Sequence, residues 1–421
     1  MSADVSHSTS ATLNTLRARP SLEWIADLRA RYPVERTVDE ALTAKLERRL
    51  LGPSQPTNVN VLAERVRSFL ARRIDGAFEM RALRPLTGGA SKEQYVFELD
   101  WTCAGERRRA ERMVLRMEPG ESIVESHRLR EFQAVRAVAP HVPVPTCYWL
   151  DESGEELGRP AIVCSFVDGV QKPIAGESNV TGVGIQFDEQ HRAALAPQMI
   201  DYLARIHTFD FEQADLGAFE RPALGTSQDI DWQINCWARV WHEDMHEHVP
   251  LMTLTEQWLR AHRPRLDRVS LVHGDYRTGN FLFDPTTLRV TAVLDWELAY
   301  LGDRHFDFGW LMMPILTTAD EQGRPLLVSL FERQALLERY QEISGLTLEP
   351  ERLHYYTVHA QWRAAVHTLG SALRVASGGR SHHDILLSWF GALGYPLLEG
   401  LRQTLQQGLE GLPPVSRAAL V

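Results

Sequence analysis

The chain has 421 residues, 44% hydrophobic and 24% charged, with 45 Lys and Arg against 55 Asp and Glu. That balance belongs to a globular chain of one large domain or two to three ordinary ones, and the net charge of −10 argues against nucleic acid or an anionic membrane as partner. Cys103, Cys147, Cys164 and Cys236 form no CxxC pair and no zinc-spaced cluster, and nothing in the first thirty residues or beyond is apolar for long enough to be a signal peptide or a membrane span, so a cytoplasmic location is expected.

Residues 1–20, rich in Ser, Thr and Ala without periodicity, read as disordered. Over 22–51 apolar residues recur at helical spacing (Leu22, Ile25, Leu28, then Leu42, Leu46, Leu50), and a further helix is predicted over 58–74 through Val61, Val66 and Leu70. Residues 1–75 are thus a tail and helical extension without recognisable chemistry, expected to pack on the body or on a partner. The pattern then changes to strands over 78–86, 94–102 and 112–117, with Gly88-Gly89-Ala90-Ser91 between the first two. A helix over 122–138 stops before Pro140, Pro143 and Pro145, and strands follow at 148–150 and 161–166. Residues 76–168 therefore form a small α+β lobe of five strands and one helix. Past Gly169, the stretch 171–188 reads as a mobile loop. Helices are predicted over 189–208, 229–246, 251–263, 325–343, 349–377 and 384–407, interrupted by a strand-rich patch at 271–296. Residues 169–421 form the second, mostly helical lobe.

The strongest chemical signal is His273-Gly274-Asp275-Tyr276-Arg277-Thr278-Gly279-Asn280, followed by Val293-Leu294-Asp295-Trp296-Glu297. Phosphoryl transfer needs a carboxylate beside the attacking hydroxyl and oxygen ligands holding Mg²⁺ on the nucleotide phosphates. An Asp followed five residues later by an Asn has the spacing of the kinase catalytic loop, and Asp295 ends a strand-like run from which its carboxylate reaches the same point. Hard oxygen ligands suit Mg²⁺. Taken alone, His-Gly-Asp is a turn and a helix cap; the Asn at plus five and the strand ending in Asp restrict the reading. Asp307-Phe308-Gly309 spells the magnesium-holding triplet of protein kinases, yet it leads into apolar Trp310-Leu311 as a helix start. Asp307 is therefore expected to cap or brace the catalytic loop, and Asp295 to hold the metal.

In the small lobe, Gly88 and Gly89 would let backbone N–H groups approach phosphate oxygens and Ser91 would add a hydroxyl, although a plain hairpin turn has the same composition. Arg116 on the third strand and Glu131 on the next helix follow the order in which kinases place a phosphate-binding cation and the acid that orients it. An exposed arginine and a solvated helix face are the plain alternatives. Ser165 and Val167 fall where the lobes would join and where backbone groups would meet adenine.

These residues, in this order, resemble the aminoglycoside-phosphotransferase family over about residues 78–375, and the wording from Val293 to Asp303 is most similar to a subgroup related to the kinase-like domains fused to some acyl-CoA dehydrogenases. The resemblance implies a protein-kinase-like two-lobe α+β fold plus the N-terminal helical extension. It also implies ATP and Mg²⁺ between the lobes, Asp275 as catalytic base, Asn280 and Asp295 as metal ligands, and Gly88, Gly89, Ser91, Arg116, Glu131, Ser165 and Val167 around the nucleotide. Arg116 stands where the antibiotic kinases carry Lys, so a planar fork replaces a point charge. The partner would be a hydroxylated small molecule. From Pro350 onward four acids (Glu351, Asp384, Glu399, Glu410) stand against six arginines (Arg352, Arg363, Arg374, Arg380, Arg402, Arg417), with Trp362, Trp389, Phe390 and Tyr395 as aromatic surface. That suits an anionic or apolar acceptor, such as a hydroxyacyl thioester of coenzyme A, better than a polycation. An aminoglycoside or macrolide kinase and an inactive kinase-like binding protein are the alternatives; Asp275, Asn280 and Asp295 together weigh against the last.

Overall fold

The computed structural model of the chain describes residues 15–52, 57–86, 91–102, 108–173, 185–377 and 391–410. Residues 15–18, expected to be disordered, make one helical turn. The periodic stretch after them is two helices, α1 (Leu22–Arg31) and α2 (Arg36–Leu50), separated at Pro33, which has no N–H to continue a helix. Helix α3 (Val59–Ala71) starts at Asn58, whose side chain accepts the N–H groups of Asn60 and Val61 at 3.0 and 3.3 Å. Its inward face is Leu62, Val66, Phe69 and Leu70, the i, i+4, i+7, i+8 stripe of an amphipathic helix. Val61, expected inside, is 52% exposed, and Leu22 on α1 is 70% exposed while Trp24 takes the buried position.

The small lobe is one antiparallel sheet of β1 (Phe78–Pro85), β2 (Glu93–Trp101), β3 (Arg109–Met117), β4 (Cys147–Asp151) and β5 (Ala161–Ser165), in the order β1-β2-β3-β5-β4. Tyr95, Phe97, Leu99 and Trp101 alternate along β2 into the core that α3 covers, so α3 belongs to this lobe and not to the extension alone. Helix α4 (Arg128–Val138) begins six residues later than its pattern suggests. Residues 122–127 are held instead by Ser122, whose hydroxyl accepts the Val124 N–H at 3.1 Å, and by Lys92, which donates to the Val124 carbonyl at 2.9 Å.

The large lobe holds α5 (Glu189–Thr208), α6 (Gln228–Asp244), α7 (Pro250–Ala261), α8 (His305–Leu311), α9 (Arg333–Ser344) and α10 (Pro350–Ala365), the last running through a π-helical segment, Val366–Ala372, into α11 (Leu373–Ser377), and finally α12 (Gly394–Glu410). Of the stretch read as a mobile loop, 174–184 lies outside the described residues; before it Val170 exchanges backbone hydrogen bonds with Phe283, and after it Phe187 is buried. Three short antiparallel pairs set the loops: β6 (Ser270–Val272) with β9 (Tyr300–Gly302), β7 (Phe281–Phe283) with β8 (Val290–Val293), and β10 (Thr317–Ala319) with β11 (Pro325–Leu327). Residues 325–332 are thus not the start of a helix as their apolar pattern suggested; β11 and a turn with Val328 and Ser329 at φ 46° and 61° precede α9. At Gly309 a Cβ would lie 2.4 Å from the Tyr356 backbone, so the glycine of Asp-Phe-Gly serves the close approach of α8 to α10.

Buried ion pairs fasten the extension to the body. Lys45 on α2 meets Glu243 and Asp244 at 2.9 and 2.8 Å, and Arg130 on α4 meets Glu35 at 2.6 Å. No helix among the described residues is long and apolar enough to cross a membrane.

Candidate active site

The His-Gly-Asp loop runs from β6 to β7, and Asp307 of α8 braces it. The Asp307 carboxylate accepts the N–H groups of His273 and Gly274 at 2.8 Å each and meets His207 Nε2 at 3.0 Å. Burial alone would raise its pKa; the hydrogen bond and charge of His207 and the loop amides outweigh it and hold the carboxyl below its ordinary range. His273 Nδ1 accepts the Asp275 N–H at 3.2 Å, which leaves Nε2 as the protonated nitrogen donating to the Leu294 carbonyl at 3.0 Å. Gly274 has φ +84°, and a Cβ there would sit 2.5 Å from the Leu298 oxygen, so the motif requires glycine.

This bracing presents Asp275. Its Oδ1 accepts Arg277 Nε at 2.9 Å and its Oδ2 accepts Asn280 Nδ2 at 2.6 Å. The Asn280 amide nitrogen also donates to the Asp275 carbonyl at 2.8 Å. With the nitrogen so committed, the side-chain oxygen of Asn280 is what remains for a ligand. The Leu294 N–H donates to the Asn280 carbonyl at 2.8 Å, which ties the next motif to the first. Asp295 then leaves β8 in the left-handed region, φ 69° and ψ 55°.

Arg116 bridges the lobes, 3.0 Å from Glu131 and 3.3 Å from Asp295. Neither plain alternative holds, since its side chain is 16% exposed and that of Glu131 is 5% exposed. Beside this pair lies a second layer that the sequence reasoning missed. Lys92 meets Glu118 at 3.1 Å and Glu297 at 3.0 Å, and Arg128 meets Glu118 at 2.7 Å and Glu131 at 2.5 Å. Lys92 directly follows the Gly-Gly turn and Glu297 closes the Asp-Trp-Glu motif, which were the available signals. In this setting Asp295 and Glu297 diverge. Desolvation and the neighbouring Glu297 charge push Asp295 upward against Arg116, whereas Lys92 and Arg128 overcome burial and hold Glu297 down.

The remaining predicted positions are less tightly joined. Ser91 touches the network through its carbonyl, which accepts the Ser122 hydroxyl at 3.4 Å, while Gly88 and Gly89 lie outside the described residues. Ser165 Oγ accepts the Thr146 N–H at 2.9 Å. Val167 follows β5, beyond Phe166, on whose ring Arg112 stacks at 4.1 Å. No described hydrogen bond or ion pair links Ser165 or Val167 to Asp275. The donor set fits Mg²⁺: one carboxylate and one amide oxygen, in a pocket whose carboxylates outnumber its cations. No three His, Cys, Asp or Glu are grouped to hold an ion among the described residues, so phosphate oxygens and water would complete the shell.

Among the described residues, three of the four arginines after Pro350 are spent within the fold. Arg352 pairs with Asp303 at 2.8 Å, Arg374 with Asp244 at 2.9 Å and Arg402 with Glu399 at 2.6 Å. Trp362 is fully buried, not surface, and Tyr395 is exposed. Arg380, Asp384, Trp389, Phe390 and Arg417 lie outside the described residues.

Residues 82–346, more than half of the chain, match the pattern of the phosphotransferase enzyme family. Acyl-CoA dehydrogenase family member 10 of Mus musculus is 34% identical over 202 residues, covering 47% of this chain and 18% of the relative. Acyl-CoA dehydrogenase family member 11 of Pongo abelii is 25% identical over 318 residues, 71% of this chain and 38% of the relative. The chain thus spans well under half the length of these curated relatives. Among solved structures, a candidate aminoglycoside phosphotransferase from Ralstonia eutropha superposes with a TM-score of 0.60 at 26% identity, covering 82% of this chain and 98% of its own. Choline kinase from Cryptosporidium parvum gives 0.52 at 10% identity over 83% and 96%, a likeness of fold. The architecture is the two-lobe α+β kinase-like fold.

Proposed function

The chain belongs to the phosphotransferase enzyme family, and we propose that it transfers the γ-phosphoryl group of ATP, with Mg²⁺, to the hydroxyl of a hydroxyacyl-coenzyme A or similar hydroxylated acyl metabolite. The observation that carries this is Asp275, buried, held at both carboxylate oxygens by Arg277 and Asn280, on a loop fixed by Asp307. Asp275 accepts the acceptor's proton as its oxygen forms the new bond to phosphorus and the bond to the β-phosphate bridging oxygen breaks, giving ADP. Asn280 and Asp295 would hold Mg²⁺, which when bound neutralises phosphate charge. Arg116, oriented by Glu131, would contact phosphate, with Gly88, Gly89 and Ser91 covering it and backbone at Ser165 and Val167 meeting adenine.

The acyl acceptor is supported by relatives that bear the acyl-CoA dehydrogenase name and match this chain over only part of their length. Nucleotide consumption measured against hydroxyacyl-CoA thioesters, aminoglycosides and macrolides, with products identified by mass spectrometry, tests the whole reading. Phosphorylated acyl product is expected. A phosphorylated aminoglycoside with the thioesters untouched overturns the acceptor and leaves the kinase; nucleotide bound but never consumed with any acceptor favours a binding protein.

A further inference from the structure

Arg363 on α10 is an arginine the fold has not spent. It is 1% exposed, and its Nε and one terminal nitrogen are buried without a hydrogen-bond partner among the described residues. Its guanidinium carbon lies 4.9 Å from the ring centres of Trp237 and Trp310 and 5.0 Å from that of Phe306. Other orphans gather here. The indole N–H groups of Trp237 and Trp310, both ring nitrogens of His359 and Nε2 of His367 are also buried and have no hydrogen-bond partner among the described residues. His367 packs 4.5 Å from Trp237, and His359 packs 5.3 Å from Phe306. Buried polar groups are rarely left unsatisfied, and so many in one place point to a group that comes from outside the chain. Three residues past Arg363 the helix widens into the π-helical segment Val366–Ala372, a distortion frequent at functional sites. The catalytic loop is close by: Phe306 and Trp310 belong to α8, whose Asp307 accepts the N–H groups of His273 and Gly274, and the Asp275 carboxylate is the foremost charge acting on the guanidinium against its burial.

Aromatic rings around a cation form the box in which proteins hold quaternary ammonium ligands. Here the chain's own guanidinium fills that box. A cationic acceptor meets an occupied cage and a like charge, whereas an oxygen acceptor meets a planar fork of donors between apolar walls. Building on the phosphotransferase reading, we propose that Arg363, with the indole N–H groups of Trp237 and Trp310, forms the acyl subsite, receiving the thioester or carboxylate oxygen of a hydroxyacyl acceptor whose hydroxyl lies at Asp275.

Wild type, Arg363→Lys, Arg363→Gln and Trp310→Phe, each checked for a cooperative melt and for ADP binding, are assayed with hydroxybutyryl-CoA, free hydroxybutyrate and 1,3-butanediol at saturating ATP. The Arg363 variants are expected to raise the KM for the acyl acceptors about 10- to 100-fold, with kcat and the ATP KM moved far less. Trp310→Phe, which keeps an aromatic face and loses the pyrrole ring with its N–H donor, should raise it about 3- to 10-fold. Butanediol, lacking an acyl oxygen, should not respond, and the thioester and free-acid arms tell which oxygen is read. An unchanged acyl KM in folded Arg363 variants, or in Trp310→Phe where those do not fold, overturns the subsite and leaves the kinase standing. If wild type phosphorylates none of the three, the activity is what fails, and calorimetric titration of the ADP-loaded protein decides the subsite. Binding of hydroxybutyryl-CoA or hydroxybutyrate that Arg363→Gln or Trp310→Phe abolishes upholds it, and no binding by wild type overturns it.

Discussion

Two buried charge networks, one in the cleft and one under the N-terminal extension, are built from the same side chains and end in opposite balances. Under the extension, the Asp244 carboxylate receives Lys45 at 2.8 Å, Arg49 at 2.5 Å, Arg374 at 2.9 Å and the Ser371 hydroxyl at 2.8 Å. Burial would raise its pKa, but Arg374, Lys45 and Arg49 hold it well below the usual carboxylate range. In the cleft, Lys92, Arg116 and Arg128 face Glu118, Glu131, Asp295 and Glu297, and Asp295 is pushed the other way. A buried ion pair by itself says little about stability or purpose. The surroundings of each carboxylate say more: three cations on Asp244 lock it into structure, whereas Asp295, with Arg116 on one side and the Glu297 charge on the other, has room for the incoming cation proposed above.

Six substitutions would break or sharpen that contrast. Asp275→Ala should lower kcat by about 10²–10⁴ with nucleotide affinity little changed; near-normal turnover in a folded variant would remove Asp275 from the mechanism. Asp244→Ala removes the carboxylate that three cations share, leaving Lys45 with Glu243, Arg374 with Glu121 and Arg49 without its acid, and should cost about 3–5 kcal/mol in urea denaturation while kcat per folded molecule holds. The reverse pattern, activity lost at full stability, would erase the distinction between the two networks. Asp295 and Asp307 divide along the same line. Magnesium titration of a fluorescent ATP analogue should lose its metal dependence in Asp295→Ala only, and Asp307→Ala should instead lose about 1–3 kcal/mol through its orphaned loop amides. Metal coupling weakened by Asp307→Ala alone would exchange the two roles. The smallest effect is expected at the lobe bridge. Arg116→Ala and Glu131→Ala should each raise the ATP KM about tenfold, and the double variant should fall short of their product; strict additivity would mean that the pair does not act as a unit.

Much of the fold was legible because its signals are local. The five strands, α4 and the long helices announce themselves by period, and Asp275, Asn280 and Asp295 sit at spacings that few other arrangements require. What was hidden depends on partners distant in sequence. Strands β9, β10 and β11 are three residues each, too short to show a period, and exist because a neighbour pairs with them. Lys92 after a glycine turn looks like any solvated lysine, and only the approach of Glu118 and Glu297 buries it. The arginine excess after Pro350 misled for the same reason, since composition cannot tell Arg352, paired with Asp303, from Arg363, which enters no described pair.

Asp295 carries a further consequence. An aspartate at φ 69° occupies backbone space in which a side chain is strained and glycine is at ease. Selection for stability alone would relieve that strain with Gly, something on the order of 1 kcal/mol, and with it the repulsion from Glu297, against the loss of the 3.3 Å contact with Arg116. With Asp295 as the metal ligand proposed above, this position is a standing trade between durability and work. A search for thermally hardened variants that ignores activity should drift to Gly at residue 295 and return a sturdier, idle protein.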